Sequence, residues 1–179
     1  MNKGENIKNL TEISSFAKSM TKIGYDSEVR REDSLIQQAS QMQAAFSFTT
    51  AALFMATPVM FEYRGILSFC YIYVVVSSIT AVLLFSLFAA TMAQNRMNRA
   101  VFSNGKSIIK YIEENEESFK DESSRNKYTA ELYAEIEESL IKTNDERVFW
   151  IQWSMRAFYT AIAGSILWFV IALGQILCR

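Results

Sequence analysis

Polar side chains recur at helical spacing inside an otherwise apolar stretch of this chain. Gln37, Ser40, Ser47, Thr50 and Thr57 follow roughly one stripe, with Gln43 beside it. On a helix this spacing gathers amides and hydroxyls on one face. Within an apolar run such a face has two uses. It can pack against a neighbouring helix, with each hydroxyl bonded to its own backbone. It can also line a water-filled path when several copies surround an axis. Gln43, Ser47, Thr50 and Thr57 are the candidate pore-lining residues on the second reading. A second group is cationic: Arg96, Arg99, Lys106 and Lys110 are spaced 3, 7 and 4 apart and share a helical face. That face suits an anion, either a lipid headgroup or a nucleotide phosphate. Acid–base and metal chemistry lack their usual parts. There is no histidine, hence neither the usual general base nor the commonest transition-metal ligand. No P-loop, GxGxxG, GxSxG or CxxC motif occurs. No enzymatic activity, cofactor or metal is expected.

Three uncharged runs must position these residues. Gly65–Asn95 is 31 residues without a charge, Ala44–Phe61 is 18 and Ala157–Cys178 is 22. At about 1.5 Å per residue, roughly 18–20 apolar residues cross a hydrocarbon core of about 30 Å. Half of the chain is hydrophobic, yet its mean hydropathy is only +0.06, so the apolar residues are concentrated in these runs. The expected fold is all-α: an integral membrane protein with three transmembrane helices and a cytoplasmic helical hairpin. Glu62–Gly65 leaves room only for a tight turn between the first two spans. The third span carries small residues at Ala157, Ala161, Gly164 and Ser165, suited to close helix packing.

The polar segments read as helices too. Leu10, Ile13, Phe16, Ala17, Met20 and Ile23 form an apolar stripe on a short helix that Gly24 is expected to end. Such a stripe must pack on something: the membrane surface, the cytoplasmic hairpin or a pore mouth. Phe16 and Met20 are the candidate gating residues. Asp33 is expected to cap a second helix running into the first span. Met97, Val101, Ile108 and Ile112 extend the second span to about Ser118. Asp121–Ser124 then turns the chain, and Tyr128, Leu132, Ile136 and Leu140 bring it back. Thr143–Glu146 fits a capping box that opens the last helix. The resulting divisions are 1–33 (N-terminal helix and linker), 34–95 (transmembrane hairpin), 96–143 (cytoplasmic hairpin) and 144–179 (helix entering the third span).

Charge sets orientation. Arg30, Arg31, Arg96, Arg99, Lys106, Arg147 and Arg156 flank one side of the spans, while Arg64 and Arg179 alone flank the other. The positive-inside rule puts the N-terminus in the cytoplasm and the C-terminus outside. Residues 1–33 hold six cations and six anions, and 96–156 hold ten and twelve, so no stable nucleic-acid complex is expected. Cys70 and Cys178 lie in or beside apolar segments. They read as small apolar fillers, or as a disulfide pair if the face they share is oxidising.

The hairpin Ala44–Met92, the helical segment after it, and Lys142-Thr143-Asn144-Asp145-Glu146-Arg147 leading into an apolar helix resemble the small SLATT-type transmembrane effectors of bacterial antiphage defence. The third span departs from their simpler two-span pattern. The resemblance implies a pore-forming homo-oligomer of the bacterial inner membrane; three spans in one chain are too few to enclose a pore, and a tetramer is the expected copy number. It further implies a pore held closed until a partner protein, or a nucleotide or oligonucleotide signal from a partner enzyme, opens it and depolarises the membrane. The residues also suit a membrane-anchored scaffold whose cytoplasmic helices dock a partner protein.

Overall fold

The structure, a computed structural model, describes residues 3–62, 68–95 and 105–177. Among them every element is helical: α1 (Lys3–Glu62), α2 (Phe69–Gln94), α3 (Gly105–Glu114), a single 3₁₀ turn (Glu116–Phe119) and α4 (Glu122–Leu177). Two helices, α2 and α4, are long and apolar enough to cross a membrane, judged by length and composition. The run Ala44–Phe61 in α1 is not among them. The side chains of Val59 and Met60 within that run lie outside the described residues.

Several expected breaks are absent. The chain does not stop at Gly24 or restart at Asp33, because α1 is one helix of 60 residues. A mid-helix glycine costs about 1 kcal/mol relative to alanine, and packing gives it a reason. A Cβ on Gly24 would overlap the Glu137 carboxylate. The residue permits a close approach rather than a C-cap. Likewise no helix begins at Thr143, which lies inside the 56 residues of α4 and donates to Ser139 O at 3.0 Å. A hydroxyl that bonds four residues back supports a continuing helix, not a new N-terminus. In the other direction, α2 stops at Gln94 instead of running on to Ser118. Asn95 turns extended (ψ 136°), its N–H bonding Thr91 O and Met92 O. The turn before α4 lies at 115–121, so residues 122–124 are helical.

The chain divides into two compact units, residues 1–34 with 96–145, and residues 35–95 with 146–179. In the first, α1 lies on α4 through small and polar side chains. Ser14 and Asn126 are buried, Lys18 Nζ donates to Asn126 Oδ1 at 3.2 Å, and Tyr25 and Tyr133 meet with ring centres 5.4 Å apart. Tyr111, Phe119 and Tyr128 form an aromatic trio, with centroids 5.0–6.2 Å apart, that closes α3 and the 3₁₀ turn onto α4.

The second unit is built inside out. Its interior is rich in small residues: Ala39, Ala89, Ala90, Ala93, Ala157, Ala161, Ser86 and Ser154 are all buried. Larger side chains are interspersed: Ile72 and Val76 are buried, Ile151 lies beside Ala39 and Ala93, Ile79 and Leu83 beside Ala161, and Phe46 stacks on Phe158 at 4.2 Å. Its surface carries Phe48, Phe54, Met55, Tyr73, Phe85, Phe88, Leu167 and Phe169, all exposed. Large apolar side chains outward with small ones inward is the arrangement that suits helices packing in lipid.

Candidate pore face and polar latch

The sequence stripe on α1 separates into two faces. Gln43, Thr50 and Thr57, seven residues apart, turn into the second unit. Thr50 is buried and donates to Phe46 O at 2.8 Å; Thr57 is half-buried and donates to Leu53 O at 2.7 Å. Gln43 Nε2 reaches Thr91 Oγ1 at 3.5 Å, the long limit of a hydrogen bond. The two threonines are satisfied by their own helix backbone and Gln43 by Thr91, as packing residues are. Ser47 alone of the four candidates is exposed. It shares the open side of α1 with Gln37, Ser40, Gln41, Ala44 and Ala51, which are exposed as well. The single stripe therefore fails as one surface. At 100° per residue, Thr50 lies 60° from Ser47 toward the buried side, enough to move it from open to covered.

The candidate gating residues Phe16 and Met20 are exposed, as are Leu10, Ile13 and Ile23. Among the described residues the stripe is left largely open, with Leu10 and Ile13 beside Ala130 and Ala134 of the helical hairpin. The closer contacts with the hairpin are made by Lys18 with Asn126 and by Tyr25 with Tyr133. Arg96 and Arg99 lie outside the described residues, as does the side chain of Lys106. Lys110 is exposed and paired with Glu114 at 3.6 Å, one turn along α3. That partner offsets part of the charge offered to an anion. Cys70 is an exposed free thiol; Cys178 lies outside the described residues. Among the described residues no group of three or more His, Cys, Asp or Glu could hold a metal ion.

Two polar devices escaped the sequence reading. One is a latch in the first unit. Asn144 is fully buried, and its Nδ2 donates to Glu28 O at 3.1 Å and to Glu28 Oε2 at 2.9 Å. The same Glu28 oxygen accepts from Arg31 Nη1 at 3.3 Å, while Arg31 Nη2 bonds Asp145 Oδ1 at 3.0 Å. Arg31 is held above its ordinary value, first by the hydrogen bond it donates to Asp145 and also by Glu28. Asparagine and aspartate side by side on α4 thus grip glutamate and arginine one turn apart on α1. The available signal was the Glu28/Arg31 pair at i, i+3. Nearby, exposed Glu138 is held below the usual carboxylate value by its hydrogen bond from Lys142 at 2.8 Å. Arg147, expected as a cation flanking a span, is fully buried in the second unit.

The second device is reciprocal. Ser86 Oγ donates to Ser154 O and Ser154 Oγ to Ser86 O, each at 2.8 Å. Both serines are fully buried. Each helix supplies one donor and one acceptor, which requires close backbones at that crossing.

Comparison with protein-family models, with curated proteins and with solved structures gives no match.

Proposed function

We propose that this chain forms a homo-oligomeric ion channel of the bacterial inner membrane, acting as an effector of antiphage defence. On this reading all three helical segments of the second unit span the bilayer. The first unit is cytoplasmic, the C-terminus is outside, and a partner or nucleotide signal opens the pore. The observation that carries the proposal is the open side of α1. Within a unit that otherwise turns large apolar groups outward, Gln37, Ser40, Gln41 and Ser47 are exposed beside Ala44 and Ala51, with Phe48 the one large apolar side chain among them. Lipid gives such groups no partners, whereas a water-filled axis does.

The test is ion flux across liposomes holding the protein with Cys70 and Cys178 replaced by serine. A charged thiol reagent on Ser47→Cys should block flux by at least fivefold. The buried Thr50→Cys should be unaffected. Block at position 50 but not 47, or liposomes that never conduct, would remove the support for this pore.

A further inference from the structure

We infer that Arg156, with Trp153 and Gln152, holds the headgroup phosphate of an anionic phospholipid at the edge of the bilayer. The inference rests on the membrane placement in the proposed function, not on its pore, and adds a lipid site on the exposed face of the second unit.

The exposed side of α4 changes character along its length. Gln152, Trp153, Arg156 and Tyr159 are exposed, and so, further on, are Ile166, Leu167 and Val170. Aromatic and polar groups give way to aliphatic ones, and no charge follows Arg156 before Arg179. Such a change marks where a lipid-facing helix passes from headgroups to acyl chains. The packing of α2 fixes the level independently. Ser86 and Ser154 face each other at the crossing, and Phe88 meets Trp150 edge to face with centroids 6.3 Å apart. The two helices therefore run antiparallel, and the Arg156 backbone is level with Leu84. Exposed Phe85 and Phe88 carry the apolar surface of α2 past that level. The Arg156 backbone thus lies inside the apolar band, by about 6 Å along the helix.

The side chain answers that placement. Its guanidinium carbon lies 5.7 Å from the Trp153 ring centroid, within cation–π range and one turn back along α4, away from the aliphatic end. A long cation bends this way to bring its charge to the headgroup layer. The indole holds it there, and exposed Gln152, one turn before Arg156, adds an amide donor on the same face. The charge has no counterpart in the chain. Arg31, Lys110, Lys120, Lys127 and Lys142 each pair with a carboxylate, whereas among the described residues no carboxylate pairs with Arg156. The second unit has two acidic residues, Glu62 and Glu146. Glu146 is about 15 Å back along α4. Glu62 lies more than four turns beyond Phe46, which stacks on Phe158. A guanidinium without a carboxylate takes a phosphate, whose oxygens match the same donor fork. Phosphatidylcholine and phosphatidylethanolamine carry their own cation beside the phosphate, so the unpaired arginine selects a lipid of net negative charge.

The test is fluorescence quenching of the full chain in phosphatidylcholine bilayers, with Trp150→Phe and Trp168→Phe leaving Trp153 as the single fluorophore. A minor fraction of the lipid is replaced by phosphatidylglycerol or by phosphatidylcholine whose acyl chains are brominated near the headgroup. Brominated phosphatidylglycerol should quench Trp153 about three to five times more than brominated phosphatidylcholine, the enrichment expected of one basic side chain beside anionic headgroups. In Arg156→Gln the two lipids should quench equally; the exposed position tolerates the change, which circular dichroism checks. Inorganic phosphate, added at constant ionic strength, should leave the preference intact. Equal quenching in the parent, or a preference that survives Arg156→Gln, overturns the site and leaves the membrane placement standing. Loss of the preference to inorganic phosphate gives Arg156 to a soluble anion and overturns the lipid assignment. Quenching by neither lipid overturns the site and the membrane placement together.

Discussion

Replacing Asn144 by alanine should loosen the first unit specifically. The amide is fully buried and donates twice to Glu28, at 3.1 Å to its carbonyl and at 2.9 Å to its carboxylate. A hydrogen bond to a neutral acceptor contributes about 0.5–1.5 kcal/mol net, and one to a charged acceptor about 1.5–3. Glu28 keeps Arg31 as a second donor, with 17% of its side chain exposed, so solvent recovers part of the loss. The expected destabilisation is about 2–4 kcal/mol. The suitable assay is hydrogen exchange on the intact protein in nanodiscs, because local opening is read residue by residue. Amides of residues 14–34 and 126–145 should lose protection by about 30- to 1000-fold, at roughly tenfold per 1.4 kcal/mol. Amides of 72–93 should change by less than threefold. Uniform loss throughout the chain, or no loss near Glu28, would refute the idea that the latch fastens one unit. Asn144→Asp should be worse at neutral pH, since it sets a second carboxylate against Glu28. Acidification should relieve it by protonating one of the two.

Ser86→Ala and Ser154→Ala should each weaken the second unit by about 0.5–1.5 kcal/mol, near the range found for hydrogen bonds between membrane helices; denaturation of the single and double mutants should show coupling. Ser86→Leu should prevent close packing and lower thermal stability more than either alanine. Gly24→Ala should be close to neutral alone, because helix propensity gains about what moving Glu137 loses; combined with Glu137→Ala it should stabilise by about 0.5–1 kcal/mol, read by thermal melting. The Glu138 titration followed by NMR should move up to the ordinary glutamate value in Lys142→Gln. The sign follows from the lowered native value: the pair supports α4 above the unfolded-state value, and that support fades as pH falls through the native one.

Long helices were legible in the sequence because the apolar spacing is helical almost throughout. Their ends were less so. Gly24, Asp33 and Thr143–Glu146 all carry local stop or start signals, and packing overrides each of them. Gly24 is spent on the approach of Glu137, and Thr143 bonds backward into its own helix. The pore stripe was readable as polar but not as two faces, since Gln43 and Thr50 look no different from Ser47 until a neighbouring helix covers them. Ser154 and Asn144 were hidden for another reason. Their value lies in partners 68 and 116 residues away along the chain, and no local spacing announces such pairs. The uncovered state of Phe16 and Met20 was equally invisible, because an apolar stripe says that a partner is needed, not where it comes from.

The crossed serines of α2 and α4 act as a detent. The two hydrogen bonds run in opposite senses at one crossing, each 2.8 Å long. A slide of one helix across the bond direction by two residues, about 3 Å, stretches a bond of 2.8 Å to about 4.1 Å and breaks both together. Larger slides offer neither bond, so the pair resists axial displacement. In the proposed channel, α2 and α4 move as a pair with a fixed axial setting. Opening must then come from tilt or rotation of whole subunits about their shared axis, and a mutation that frees the detent should blur the channel's conductance levels rather than simply close it.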